Sequence, residues 1–358
     1  MKICLLNNLY KPYNRGGAEN VTQAMIKSYQ AKGHEVFLIS TKPNKPDLGI
    51  NTDCKTFYIK SDFYNLNKKL IATRLFWHIN ELLSVKKYNQ IKNILKTEIP
   101  DLAISHNLMG LDFKTSRLFQ ELKIKHHHFL HDIQLLHPSG LIIFGKENIV
   151  NNLAAKVYQT LTKFFIGSPD LIISPSRWLL EEHKKRGFFK KSESEIKKLE
   201  NILNINLKTD TQNDSEKIKN NKDVLKKLLF VGQIEAHKGI LFLLDAFKLF
   251  AKPEMTLTVI GSGNMLTAAK KLNNQNSQIT FKGRLEKIKL EEEMRKADAL
   301  IMPSLCYENY PLVILEARQL GLPVIASDLG GAPEVIGPYD KLFKPGDAKD
   351  LFKKLNNY

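Results

Sequence analysis

The sequence predicts an α/β protein of two halves, each a parallel sheet covered by helices. Three observations carry this. Short apolar runs alternate with longer helical patterns along most of the 358 residues, the rhythm of repeated βαβ units. The rhythm breaks once, at the almost wholly polar stretch NLKTDTQNDSEKIKNNKD of residues 206–223, and then restarts. In both halves a strand-like run gives way to a glycine-containing turn with a helical pattern behind it.

In the first half, Lys2–Leu6 is a short apolar run, followed by Gly16-Gly17 and a helical stretch over 19–32. Gly33-His34 punctuates the junction with a strand over 35–40. Leu102–Ser105, 125–130 and Leu171–Ser174 are the next strand candidates. Beyond the polar stretch come a strand over 228–231, a helix over 239–250 and strands over 257–260, 279–282 and Ala299–Met302. A helix over 312–320 and a strand over 324–326 follow. The reading is therefore two Rossmann-like domains, 1–205 and 224–358, joined by a linker at 206–223. Ligands in such sheets sit at the carboxyl ends of strands, so a cleft between the halves is the expected site.

Composition narrows the class. No stretch approaches the roughly 20 apolar residues of a membrane span. The start, MKICLLNN, has neither the apolar core nor the small-residue cleavage site of a secretory signal. Cys4, Cys54 and Cys306 are odd in number and scattered, with no C-x-x-C, which points to a reducing cytoplasm and away from zinc. The net charge of +17 fits nucleic acid, an anionic membrane surface, phosphorylated substrates, or a lysine-rich bias alone.

The most informative stretch is CYENYPLVILEA, residues 306–317, where Glu308 and Glu316 stand eight apart. Pro311 suits the first turn of a helix. Glu308 then lies in the preceding loop and Glu316 inside the helix, beyond the apolar run 312–315 that reads as fully buried. Free N–H groups at Leu312 and Val313 would suit a phosphate. Paired sugar hydroxyls would give a buried carboxylate the donors it needs. Taken alone, the pair reads more readily as a solvated loop glutamate plus a salt-bridged helix glutamate, because carboxylates are mostly exposed. It is not alone. FVGQIEAHKG (230–239) ends a strand in a loop and places Lys238 before a helix, where an ammonium can meet a diphosphate. VIGSGNM (259–265) is a second such turn, without the third glycine of a dinucleotide fingerprint.

These stretches, with FKGRL, ADALIMPSLCYENYPLVILEARQLGLPVIASDLGGAPEVI and LFKPGD, resemble the retaining glycosyltransferases of family 4, which have the GT-B fold of two facing Rossmann-like domains. In order and spacing they cover nearly all of 228–347. The first half agrees through Gly16-Gly17-Ala18-Glu19, HDIQLLHPSG (131–140) and the segment SPSRW (174–178).

The resemblance implies a nucleotide-diphosphate sugar donor (UDP-, GDP- or ADP-linked) and a glycan or lipid-linked acceptor. It implies that Glu308 contacts the transferred sugar and Glu316 the ribose. Asn309, Tyr310, Leu312 and Val313 would line the sugar and diphosphate through backbone N–H groups. Lys238, with Gln233 nearby, would face the departing diphosphate, and Arg284 would border the base. Gly17 would admit the donor phosphates or the acceptor. His131 would sit near the reacting carbon, with a hydrogen-bonded strand-end histidine as the alternative. His131, Glu308 and Lys238 are the catalytic candidates. No cofactor or metal is expected: no D-x-D occurs, and the family generally works without a bound metal. The chain departs from the pattern at Gln233, where the family usually has arginine. It also stops at Tyr358, where relatives usually continue, which suggests a fragment or a shortened form.

The cluster KHHHFLHD invites a metal reading, but His126, His128 and His131 cannot share one face of a strand. Residues 65–96 combine leucines, isoleucines and lysines, as either a helix packed on the sheet or one touching anionic lipid. The leading reading is a retaining glycosyltransferase of cell-surface glycan synthesis, cytoplasmic or peripheral on the inner face of the membrane. A catalytically silent nucleotide- or glycan-binding module is the alternative. An NAD-dependent oxidoreductase and a charge-driven nucleic-acid binder lack their motifs.

Overall fold

The computed structural model describes residues 1–13, 16–44, 52–64, 73, 77, 85–205, 225–274 and 276–357. The expected linker at 206–223, residues 65–84 of the stretch 65–96 apart from 73 and 77, and Tyr358 lie outside them. The chain divides into two compact units, Met1–Leu141 with Asn148–Leu203, and Ile142–Glu147 with Asn204–Tyr358.

The first unit holds seven strands: β1 (Lys2–Leu6), β2 (Glu35–Lys42), β3 (Lys55–Lys60), β4 (Leu102–Ser105), β5 (Lys125–Phe129), β6 (Leu171–Ser174) and β7 (Glu193–Ile196). Their order is β3-β2-β1-β4-β5-β6-β7, with every pair parallel. Central strands buried on both faces read as continuous apolar runs, and Ile3, Leu5, Leu6, Ala103 and Ile104 are fully enclosed. The helix Gly17–Ala31 turns Val21, Met25 and Ile26 inward at helical spacing. At its start the Gly16 N–H donates to Glu19 Oε2 at 3.1 Å, so the helix opens two residues before the expected 19.

The second unit holds β8 (Lys227–Val231), β9 (Thr256–Ile260), β10 (Ile279–Gly283), β11 (Ala299–Met302), β12 (Val324–Ser327) and β13 (Lys341–Phe343). The order is β10-β9-β8-β11-β12-β13, again all parallel. Leu243, Leu244 and Phe247 of the helix Ile240–Phe250 pack with Leu228, Leu257 and Val259 beneath it. In both sheets the order reverses at one point, between β1 and β4 and between β8 and β11. Backbone loops diverge there and leave room for a ligand.

Three strands escaped the sequence reading, β3, β7 and β13. All three lie at sheet edges. Edge strands are kept short, charged and half-wet, and β7 (ESEI) is exposed along its whole length. β7 carries no apolar run to find, and those of β3 and β13 are three residues or shorter. Among the described residues no helix is long and apolar enough to cross a membrane.

Candidate active site

The switch point of the second sheet is built from two loops. The loop after β8 runs through Gly232 to Gly239 and includes the turn Ala236–Lys238. The loop after β11 runs from Pro303 to Pro311. They are laced together where the Leu305 N–H donates to His237 O at 2.9 Å. The approach is close enough that a Cβ on Gly239, at φ 72°, would meet Pro303 O at 1.8 Å. Only glycine fits there, so Lys238 is delivered to the second loop by the residue that follows it.

The result is an ion pair. Lys238 Nζ lies 2.7 Å from Glu308 Oε1, and Ser304 Oγ donates to the same oxygen at 2.6 Å. The Glu308 side chain is only 14% exposed. Burial pushes its carboxyl up, but Lys238 and the Ser304 hydroxyl outweigh this and hold it below the usual range. Burial likewise opposes the Lys238 charge, and Glu308 restores it, leaving the ammonium above its ordinary value. Both groups are therefore charged near neutrality. Cys306 beside them is pushed up to about 12, chiefly by burial and then by Glu308, so it stays a thiol. Among the described residues nothing donates to Glu308 Oε2, so that oxygen is left for a ligand.

Two further contacts fix the Glu308 loop. Gly330-Gly331 wraps its backbone: the Gly331 N–H donates to Glu308 O at 2.6 Å. A Cβ on Gly330, at φ 63°, would stand 2.3 Å from that oxygen. The segment Ile142–Glu147 supplies the other contact, although it precedes the loop by some 160 residues. Ile143 and Cys306 form an antiparallel bridge. The Phe144 N–H donates to Leu305 O and the Tyr307 N–H to Ile142 O, both at 2.9 Å. The Tyr307 hydroxyl donates to Glu147 Oε1 at 3.1 Å. Nothing in FGKE (144–147) signals this role, because the pairing is long-range.

Glu308 is followed by Asn309, half-buried, and Tyr310, buried at 7% exposure. The helix spans Leu312–Gln319, and Pro311 is its extended N-cap (ψ 109°) rather than part of its first turn. Among the described residues nothing accepts from the N–H groups of Leu312 and Val313. Of the run 312–315, only Ile314 and Leu315 are buried, and Leu312 and Val313 are half-buried. The expectation of a fully buried run thus fails at its start, because the first turn lies at the loop mouth while the second packs on the sheet. Glu316 is half-buried. Burial raises its carboxyl, Lys287 opposes this and Glu291 adds to it. No described side chain hydrogen-bonds it. Gln233 and Arg284 are exposed, at the carboxyl ends of β8 and β10.

Gly17 and His131 belong to the first unit. Gly17 opens the helix behind β1. Three of the four histidines of the β5 region divide into two groups. His126 Nε2 and His128 Nδ1 share Ser105 Oγ at 2.7 and 2.8 Å, while His131, past the strand end, meets His106 Nδ1 through Nε2 at 2.7 Å. His131 is pushed down to about 3 by burial, so its ring is neutral. It lines a small cavity with His106, Asn107, Asp132 and Gln134. Asp132, not singled out from the sequence, is pushed up to about 7 by burial, against hydrogen bonds from the Gln134 N–H and Asn107. Its only sequence signal is adjacency to His131.

Two parallel α/β units with these switch-point loops define a GT-B protein. The family described as Glycosyltransferase Family 4 matches residues 15–195, and that described as Glycosyl transferases group 1 matches residues 210–358. An uncharacterized glycosyltransferase of Methanocaldococcus jannaschii is 30% identical over 94% of this chain and 83% of its own. An uncharacterized 42.6 kDa protein in the cps region of Klebsiella pneumoniae is 26% identical over 98% and 91%. Among solved structures, sucrose-phosphate synthase from Thermosynechococcus elongatus superposes with a TM-score of 0.69 at 19% identity, covering 99% of this chain and 89% of that one. Anabaena HepE in complex with UDP and glucose gives 0.66 at 18%, covering 100% and 89%. The chain belongs to glycosyltransferase family 4.

Proposed function

We propose that this glycosyltransferase moves a hexose, with retention of configuration, from a nucleotide-diphosphate donor to a hydroxyl of a glycan or lipid-linked acceptor in cell-surface glycan synthesis. The observation that carries the reading is the half-buried Lys238–Glu308 pair at the second switch point. It sets a cation and a half-satisfied carboxylate beside a helix start with free N–H groups. Diphosphate calls for the first and third, and sugar hydroxyls for the second.

In this reading the bond between the anomeric carbon and the diphosphate oxygen breaks through an oxocarbenium-like state. The acceptor oxygen attacks the same face, and its proton passes to the departing phosphate. Lys238 offsets the growing phosphate charge. Glu308 Oε2 accepts from a sugar hydroxyl, and Glu316, raised by burial and short of donors, takes the ribose hydroxyls. Asn309, Tyr310, Leu312 and Val313 line the sugar and diphosphate, Arg284 borders the base and Gly17 gives the first unit close approach. The neutral His131 stands by the reacting carbon as a hydrogen-bonding group. UDP is our first choice of nucleotide, because Anabaena HepE has been seen with UDP-glucose. Three unpaired cysteines favour a reducing compartment, so we assign the work to the cytoplasmic face of the membrane.

The test is transfer from a panel of UDP-, GDP- and ADP-sugars, with the anomeric configuration of the product read by NMR. Turnover with retention, lost in Glu308→Gln and Lys238→Ala, is the expected result. An inverted product removes the retaining mechanism. Nucleotide binding without turnover would favour the silent module, for which the exposed, uncharged Gln233 speaks.

A further inference from the structure

The helix Leu153–Ile166 is amphipathic in the wrong sense. Its buried positions are Ala155, Gln159, Thr162 and Ile166, on one face. Two of these four are polar and are satisfied by backbone. Gln159 Nε2 donates to Leu136 O at 3.1 Å and Val150 O at 2.7 Å, and Thr162 Oγ1 donates to Leu135 O at 2.7 Å. The opposite face carries Leu153, Val157, Leu161 and Phe164, which are 78, 55, 39 and 60% exposed. A surface helix normally has the reverse arrangement. One exposed leucine needs no account, but four large apolar side chains aligned over three turns do.

The rim of this stripe is cationic. Lys156 is exposed beside it. The Arg117 guanidinium stacks on the Phe164 ring at 3.7 Å and donates to the Phe164 carbonyl at 3.0 Å. Glu121, the carboxylate near Arg117, is already matched by Lys92 at 2.9 Å and by Tyr88. No acidic residue occurs between Glu147 and Asp170. An apolar stripe with lysine and arginine at its margin fits the boundary between lipid headgroups and acyl chains. A second copy of the chain fits less well, because a two-fold contact through this face would set Lys156 and Arg117 near their own kind.

We propose that this face docks on an anionic phospholipid surface, with Leu153, Val157, Leu161 and Phe164 at the acyl boundary and Lys156 and Arg117 against lipid phosphates. What docking is for rests on the proposed transferase, which would meet a lipid-linked acceptor there. The docking itself does not.

The experiment is co-sedimentation of the full chain with vesicles of phosphatidylcholine mixed with phosphatidylglycerol, and with vesicles of phosphatidylcholine alone. Binding to the mixed vesicles that weakens with salt is expected. In the double variant Val157→Gln/Leu161→Gln the affinity should fall about tenfold or more, and in Lys156→Glu by several-fold. The melting temperature and transfer to a soluble acceptor should hold, because these side chains face water. Vesicle binding without any transfer would leave the docking standing and remove the proposed reaction. Three results would overturn the docking: no binding to the mixed vesicles, variants that bind as the parent does, or a dimer by ultracentrifugation that the double variant dissolves.

Discussion

Lys238 Nζ and Glu308 Oε1 stand 2.7 Å apart across 70 residues of sequence, the only ion pair joining the two switch-point loops among the described residues. The pair sits where the strand order of the second sheet reverses. Its members answer for each other: without Lys238, Glu308 is a half-buried carboxylate held by the Ser304 hydroxyl and, weakly, the Cys306 thiol.

Lys238→Ala should therefore harm both chemistry and stability. Removing a cation aimed at the leaving group is expected to lower kcat by about 100- to 1,000-fold. Leaving the carboxylate unpaired should cost about 2–4 kcal/mol of stability. Glu308→Gln keeps the shape and should cost less stability for a similar loss of rate. Steady-state kinetics beside urea melts separate the two effects, and unchanged turnover in both variants would remove the site.

Gly330→Ala forces a Cβ within 2.3 Å of Glu308 O at φ 63°. We expect about 2–4 kcal/mol of destabilisation and weakened donor binding, because the Glu308 loop must move. Gly33→Ala is the control. Gly33 also has positive φ, 77°, but its Cβ would meet nothing within 4 Å. It should cost only the backbone penalty of about 1–2 kcal/mol and leave donor affinity intact. Equal losses in the two variants would mean that the close approach at Gly330 has no consequence.

Tyr307→Phe removes the hydroxyl that donates to Glu147. A net hydrogen bond of about 1 kcal/mol translates into a donor KM raised by roughly fivefold, with kcat less affected. Glu147→Ala removes the acceptor, and the double variant should lose less than the sum of the two single ones. Additive losses would mean the two residues act separately.

Four buried histidines, His106, His126, His128 and His183, and the half-buried His131 are all held below their ordinary range chiefly by burial. Their neutral forms are favoured in the fold. Their contribution is complete above the unfolded value of 6.5 and is lost as pH falls toward the folded values, about 3 for His128 and His131 and about 4 for His183. Asp132, raised to about 7, acts oppositely and gains as pH falls from 7 toward 4. The histidines outnumber the raised carboxyl, so stability should fall as pH drops below about 6. Urea melts between pH 7.5 and 5 read this directly, and a flat profile would contradict it.

The central strands and the Lys238, Glu308 and Glu316 motifs were legible because apolar runs and glycine-flanked turns are local signals. The edge strands β3, β7 and β13 were not, since they are half-wet and their apolar runs are three residues or shorter. Pro311 misled by one residue, because proline suits both the cap and the first turn. Asp132 was passed over because a carboxylate beside a histidine looks ordinary until burial is known.

The chain by itself determined two parallel α/β units, the family and the order of its motifs, because strand and helix periodicity are written residue by residue. Only the folded state decided that Lys238 meets Glu308, that Ile142–Glu147 pairs with the Glu308 loop and that the helix Leu153–Ile166 turns its apolar side outward. Those facts depend on contacts between distant residues and on which face each element buries. Nearest-neighbour pattern carries neither.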